Sequence, residues 1–307
     1  MIKKTVCFSH PAYLSLRNGQ MIVKLDPHDD LPEQQASLPI EDIGLVVLDH
    51  RQITITSGVM EALLENNAAV VTCDDSHIPR GLLLPLEGHT VQQERFEAQT
   101  EASTVLKKQL WQQTVVQKIR NQAAVLQQTA GKSQGNMLQW ARDVRSGDST
   151  NLEGRAAAYY WSQLFKPDIE HFVRDRSGEW PNAMLNYGYA ILRAIVARGL
   201  VGSGLLPTMG IHHHNRYNAY CLADDVMEPY RPYVDRLVVD LMVKYRNVEE
   251  INKDLKRELL GIPTIEVTIG GQRSPLMVAV STTTASLAKC YTGELRKIAY
   301  PQMDGQV

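Results

Sequence analysis

Apolar and polar positions alternate through much of the first ninety residues with the two-residue period of half-buried strands. Leu14-Ser15-Leu16-Arg17 and Gln20-Met21-Ile22-Val23-Lys24-Leu25 flank Asn18-Gly19. Asn-Gly between two such runs predicts a hairpin on a type I′ turn, which needs positive φ at both central residues. Ile43-Gly44-Leu45-Val46-Val47-Leu48 is apolar throughout, the pattern of a buried strand. Residues 52–56 alternate again. A short helix is expected over 57–65 with Ser57 as its cap, then a strand over 68–73 and a turn at Asp74-Asp75-Ser76.

From about residue 91 the period lengthens to that of helices. Helical stretches are expected over 91–128, 137–145, 152–165, 180–198, 219–246 and 249–260. A break falls at 131–135, a loop at Ser146-Gly147-Asp148-Ser149, and Pro167 stops the third stretch. The fold class is therefore α+β: a small N-terminal β-rich domain followed by a larger C-terminal α-helical domain. The expected division is 1–90 and 91–301, with a disordered tail at 302–307. There is no tandem repeat and no low-complexity segment.

Composition narrows the class. The 307 residues are 44% hydrophobic and 21% charged, with a formal net charge of -2. This is ordinary for a globular protein and not the basic balance of many dedicated DNA binders, so nucleic-acid affinity must come from local patches. Cys7, Cys73, Cys221 and Cys290 are scattered with no CxxC pair, which suits free thiols in a reducing compartment. No signal peptide and no run of ~18 apolar residues is visible, so the expected location is the cytoplasm, with no membrane contact.

The densest reactive cluster is Gly210-Ile211-His212-His213-His214-Asn215, followed by Asp224, Asp225 and Glu228. On a continuous helix Asp225 and Glu228 stand at i and i+3, on one face. With one imidazole from the preceding loop they make a mixed oxygen/nitrogen site suited to Mg²⁺ or Mn²⁺. The plain alternative is a solvated acidic face beside exposed histidines. Glu153 has two readings as well. Thr150-Asn151-Leu152-Glu153 fits a capping box, in which Glu153 bonds back to Thr150 and does no chemistry.

Between 105 and 145 lie Lys107, Lys108, Lys118, Arg120, Lys132, Arg142 and Arg145, with Asp143 as the single acid. Such a stretch can track phosphates or can simply be a wet helix face. Asn186 and Tyr187 are polar residues inside an apolar helical pattern. They either satisfy buried backbone or serve a phosphate or base.

Several ordered segments resemble one family. They are Leu38-Pro39-Ile40-Glu41-Asp42-Ile43-Gly44, Ile55-Thr56-Ser57, Cys73-Asp74, Asn151-Leu152-Glu153-Gly154-Arg155-Ala156-Ala157, Leu185-Asn186-Tyr187-Gly188-Tyr189, and the run 210–232. Together they resemble the CRISPR-associated endonuclease/integrase of spacer acquisition, the universal adaptation enzyme, and most closely its type II form, of the II-C kind. The resemblance spans nearly the whole chain.

It implies that Glu153, His213 and Glu228 are metal ligands and catalytic residues, with Asp225 a supporting or alternative ligand. Many family members carry Asp where Glu228 stands, and the longer side chain reaches differently. The implied cofactor is Mg²⁺ or Mn²⁺. The implied reaction is attack of a 3′-hydroxyl on a phosphodiester at the edge of a CRISPR repeat. Arg155, Asn186, Tyr187, Arg231, Lys107, Lys108 and Lys132 become candidate DNA contacts, although Arg155 and Arg231 have the alternative of pairing with an acid.

The implied partners are double-stranded DNA (captured fragments and repeat), a small ferredoxin-like adaptation protein and other type II CRISPR proteins. A homodimer is implied, two dimers to an integration complex, with dimer and partner contacts in the β-rich domain. The rivals are a hydrolytic DNA repair nuclease using the same metal site and a non-enzymatic DNA-binding scaffold. Zinc hydrolysis is disfavoured, since there is no His-Glu-x-x-His helix and no cysteine framework.

Overall fold

The computed structural model describes residues 3–25, 34–75, 77–131, 134–166, 168–175, 180–246, 248 and 250–303. The chain divides into two compact units, residues 1–90 and 91–307.

The first unit holds β1 (Lys4–Phe8), β2 (Ala12–Arg17), β3 (Gln20–Leu25), β4 (Gln34–Pro39), β5 (Ile43–Leu48), β6 (Ile53–Ile55), α1 (Ser57–Glu65), β7 (Ala69–Cys73) and β8 (Pro79–Leu83). They form two four-stranded sheets, ordered β1-β5-β7-β8 and β4-β3-β2-β6. The expected hairpin is present. Arg17 pairs with Gln20, and Asn18 and Gly19 take φ of 50° and 71°. β5 occupies the expected all-apolar run and lies between two parallel partners, β1 and β7, which is why both its faces are buried. Phe8, Leu14, Met21, Val46, Leu63 and Val70 join both sheets and α1 in one apolar cluster. The helix cap differs from expectation: Thr56 holds the cap position without a side-chain bond, and Ser57 is already helical.

The second unit holds α2 (Gln92–Thr100), α3 (Thr104–Ala130), α4 (Gly135–Asp143), α5 (Leu152–Leu164), α6 (Asn182–Gly202), α7 (Cys221–Met227), α8 (Arg231–Lys244), α9 (Lys253–Leu259), β9 (Glu266–Ile269), β10 (Gln272–Pro275) and α10 (Leu276–Tyr291). Two expected helices are broken. The stretch from 91 parts at Ser103, whose hydroxyl accepts from Leu106 N–H at 3.2 Å and starts α3 afresh. The stretch over 219–246 parts at Pro229, which has no N–H to give. A 3₁₀ turn, Glu228–Tyr230, separates α7 from α8 there.

Residues 261–301, where the pattern had indicated no element, form the β9–β10 hairpin and α10. The tail also differs. Gln302 N–H donates to Thr268 O at 2.7 Å, and Met303 is buried with its N–H on Asn121 Oδ1 at 3.2 Å. Residues 304–307 lie outside the described residues.

Helix α6 is buried along most of its length and packs on α7, α8 and α10. Helix α3 runs beside α4, α5, α8 and the 3₁₀ turn at Glu228. That neighbourhood brings together residues far apart in sequence.

Candidate active site

Glu153 enters the site from the first turn of α5. The loop ahead of it is shaped by three left-handed residues: Gly147, Asp148 and Asn151 have φ of 73°, 48° and 52°. This folds Asp148 back over the helix end. Its carboxylate accepts from Leu152 N–H and Glu153 N–H, both at 2.9 Å, while Asn151 Oδ1 accepts from Gly154 N–H at 3.2 Å. Thr150 is not the cap. The capping-box reading of Glu153 is therefore corrected: the helix is capped by Asp148 and Asn151, and the Glu153 carboxylate accepts from Lys118 Nζ at 2.6 Å.

His213 sits on the loop before α7. Asp225, 0% exposed, accepts from His212 N–H at 2.8 Å and takes a short hydrogen bond from His213 Nδ1. This bond holds the ring and leaves Nε2 as the nitrogen that could take a ligand. The same bond raises the His213 pKa, against the effect of partial burial. The loop approaches α7 closely at Gly210. A Cβ there would lie 2.3 Å from His213 O and 3.0 Å from Asp225 Oδ2, so a side chain would push the histidine loop off its carboxylate. His212 stacks on the buried Trp111 of α3, ring centroids 4.3 Å apart and planes 3° from parallel. Burial lowers its pKa. His214 is exposed.

Glu228 begins the 3₁₀ turn and is 6% exposed. Arg231 Nε donates to its Oε1 at 2.9 Å. Its Oε2 lies 2.7 Å from Lys118 Nζ, an ion pair outside the angles of a hydrogen bond, which leaves that buried oxygen without a directed donor. Burial alone would raise this carboxyl, but Arg231 and then Lys118 outweigh it and hold its pKa down to about 2. Lys118 is 9% exposed and its pKa is raised: burial opposes the charge, while Glu228 and Glu153 together outweigh that opposition. Asp225 and Glu228 thus do not act as an i, i+3 pair. The helix turns 3₁₀ between them, and one serves His213 while the other faces Lys118.

The donors fit a hard divalent cation. Two carboxylates and a neutral-capable imidazole are the oxygen/nitrogen set of Mg²⁺ or Mn²⁺, and Glu228 Oε2 is a buried acceptor lacking a directed partner. Glu153, Glu228 and His213 Nε2 would hold the ion. Among the described residues no three of His, Cys, Asp and Glu are grouped closely enough, as they stand, to hold a metal ion together. What converges on the two carboxylates in this structure is an ammonium.

The candidate DNA contacts divide. Lys107 is half-buried and Lys108 exposed on α3; Arg155 is exposed on α5, its guanidinium 4.8 Å over the Trp140 ring. Arg231 is turned inward to Glu228, with its guanidinium 4.5 Å over the Tyr189 ring, which is the acid pairing that stood as its alternative. Tyr187 is 2% exposed and has no ring face open to a base, so it is corrected to a packing residue. Asn186 Oδ1 accepts from Arg174 at 2.7 Å. Lys132 lies outside the described residues.

Two further residues position the site. Asp148 lies in what the sequence marks only as a loop. Lys118 belongs to the basic stretch of 105–145, but it falls three residues after Val115 and seven after Trp111, on the buried face of α3.

The family described as CRISPR associated protein Cas1 matches residues 5–259. A CRISPR-associated endonuclease Cas1 from Neisseria meningitidis serogroup C (strain 8013) is 35% identical over 281 residues, covering 91% of this chain and 89% of the relative. Among solved structures, a casposase bound to integration product superposes with a TM-score of 0.80 at 20% identity, covering 96% of this chain and 92% of that one. A chain of a Cas6-RT-Cas1–Cas2 complex superposes at 0.73 and 20% identity, covering 96% of this chain and 36% of that one. The extent of the family match and the near full-length likeness to the Neisseria relative establish that this chain belongs to the Cas1 family of CRISPR-associated proteins.

Proposed function

We propose that the chain is a divalent-metal-dependent DNA integrase and endonuclease that inserts new spacers into a CRISPR array. The observation that carries this is the meeting of Glu153 and Glu228, from separate elements, at one buried cationic point beside a carboxylate-oriented His213. A structural ion pair needs no such histidine. A scaffold with Glu153 as a cap needs neither, and the cap is made by other residues.

When bound, Mg²⁺ or Mn²⁺ polarises the phosphoryl oxygen and stabilises charge on the attacking or leaving oxygen. The chain's own groups do the rest. Asp225 fixes the ring of His213, Arg231 holds the carboxylate of Glu228, and Asp148 caps the first turn of α5 that carries Glu153. The 3′-hydroxyl of a captured duplex attacks the repeat-edge phosphorus. The new P–O bond forms as the repeat's own P–O bond breaks, the hydroxyl proton is lost, and the displaced strand leaves with a free hydroxyl. Water in place of the 3′-hydroxyl gives hydrolysis.

A cleft of about 710 Å³ beside the start of α5 supports the approach of a phosphate backbone. Arg142, Arg145 and Leu152, the residue before Glu153, are among its lining residues. The relatives' names favour DNA and a Cas2-type partner: one neighbour is bound to an integration product and another sits in a Cas1–Cas2 complex. We assign as partners double-stranded DNA and a small ferredoxin-like adaptation protein, with other type II CRISPR proteins in contact. The chain works as homodimers, two to a complex, through its β-rich unit, in the cytoplasm. Among the described residues no helix is long and apolar enough to cross a membrane.

The test is strand transfer. The protein, its small partner, a 3′-hydroxyl duplex and a supercoiled repeat plasmid are combined with Mg²⁺ or Mn²⁺. Metal-dependent joining is expected, and Glu153→Ala or His213→Ala should each lower it about a thousandfold, the scale of several kcal/mol of transition-state stabilisation. Cutting without joining moves the assignment to the hydrolytic nuclease. DNA binding with no reaction in any metal overturns both in favour of the scaffold.

A further inference from the structure

We propose that Lys118 is a tethered counter-ion competing with the divalent ion for Glu153 and Glu228, so that metal binds weakly until an anion arrives to receive the displaced ammonium. This rests on the metal reading above and adds a residue and a coupling to it.

The charge balance carries the case. Glu153 and Glu228 bring two negative charges. Lys118 and Arg231 bring two positive charges, all within 2.9 Å contacts and largely removed from water. These four groups sum to zero without metal, and the further carboxylate, Asp225, is engaged by His213. Buried carboxylates normally demand a cation and so create affinity for one, but here that demand is already met from within the chain. A divalent ion entering beside an unmoved Lys118 would leave two uncompensated positive charges in a buried place. If instead it takes the carboxylate oxygens, the ammonium loses both partners.

Either way the loaded site lacks negative charge. A phosphodiester supplies it. Lys118 lies on α3, whose preceding turns carry Lys107 and Lys108. Its flexible four-carbon stem permits a change of partner that Arg231, fixed between Glu228 and the Tyr189 ring, does not have. Metal and DNA phosphate should therefore strengthen each other's binding, and by linkage the coupling is reciprocal.

The experiment measures Mn²⁺ affinity calorimetrically in the full chain, with and without a 3′-hydroxyl duplex, for wild type, Lys118→Met, Lys118→Arg and Glu153→Ala. Without DNA, Lys118→Met should bind Mn²⁺ tenfold or more tighter than wild type. Its gain on adding DNA should be smaller, while Lys118→Arg should stay weak. Equal or weaker affinity in Lys118→Met, with wild type binding Mn²⁺ and Glu153→Ala not, overturns the competition and leaves the metal site standing. No Mn²⁺ binding in any protein, with or without DNA, overturns the metal reading and this inference together. Should Lys118→Met fold poorly, the rise in melting temperature on adding Mn²⁺ is read in Lys118→Gln. A rise no larger than in wild type counts against competition.

Discussion

Glu228 and Asp235 are both buried carboxylates, one on either side of Arg231, and their surroundings treat them in opposite ways. Glu228 meets two cations, Lys118 and Arg231, and its pKa falls to about 2. Asp235 accepts from two phenols, Tyr160 at 2.9 Å and Tyr189 in a shorter bond. Burial outweighs those bonds, and its pKa is pushed up to about 7. Hydroxyl donors satisfy lone pairs without cancelling charge; ammonium and guanidinium groups do both. The first end is thus kept as an anion able to hold a metal. The second is a neutral-leaning strut under Tyr189, on whose ring Arg231 rests.

Removing the shared cation should break the contrast with the largest effect. Arg231→Ala leaves Glu228 buried with Lys118 alone. Loss of one partner from a buried ion pair costs about 3–5 kcal/mol, and urea unfolding of the metal-free protein should show it. Arg231→Lys keeps the charge but not the planar donor or the seat on Tyr189, and should fall between. A loss under 1 kcal/mol for Arg231→Ala would show that the pair at Glu228 is screened by water after all.

Acidity sharpens the contrast next. The folded pKa of Glu228 lies below its ordinary value of 4.5, so its contribution is present above about pH 4.5 and is lost as pH falls toward about 2. The folded pKa of Asp235 lies above its ordinary 3.8, so its contribution is full below that value and is lost as pH rises through about 7. Each shift corresponds to about 3–4 kcal/mol at most. Glu228→Gln should flatten the acid limb of the stability–pH curve, and Asp235→Asn the limb from about pH 4 to 7. A slope that survives unchanged in Asp235→Asn assigns the upper limb to other groups.

The same contrast marks what a sequence can disclose. The Asn18-Gly19 hairpin and β5 were legible because a turn type and a two-sided apolar run are local properties. The break at Pro229 was written in the chain too, but the strong apolar period across 219–246 masked it. Gly270-Gly271 between β9 and β10 was an unused hairpin signal. Glu153, His213 and Glu228 were named only through resemblance, since periodicity left each with a plain alternative. Lys118 and Asp148 stayed hidden for different reasons. Lys118 stands on the buried face of α3, but its acidic partners come from α5 and the turn after α7. Asp148 reaches its N–H groups only because it and Asn151 adopt left-handed backbone, which no pattern of apolar residues encodes.

The smallest effect asks whether the two ends are separable. Tyr189→Phe removes one donor from Asp235 but keeps the ring beneath Arg231. The carboxyl then retains Tyr160 and should lean further toward its neutral form, softening the loss. A buried hydrogen bond of this kind is worth about 1 kcal/mol, so a modest drop in stability is expected at pH 8 and a smaller one at pH 5, where Asp235 is already protonated. Arg231 stays seated and Glu228 stays paired, so Mn²⁺ affinity and the rate of strand joining should match wild type. If joining falls severalfold while stability barely moves, the phenol does not merely support Asp235. The strut and the Glu228 carboxylate would then be one network, with Arg231 transmitting the position of Tyr189 to Glu228.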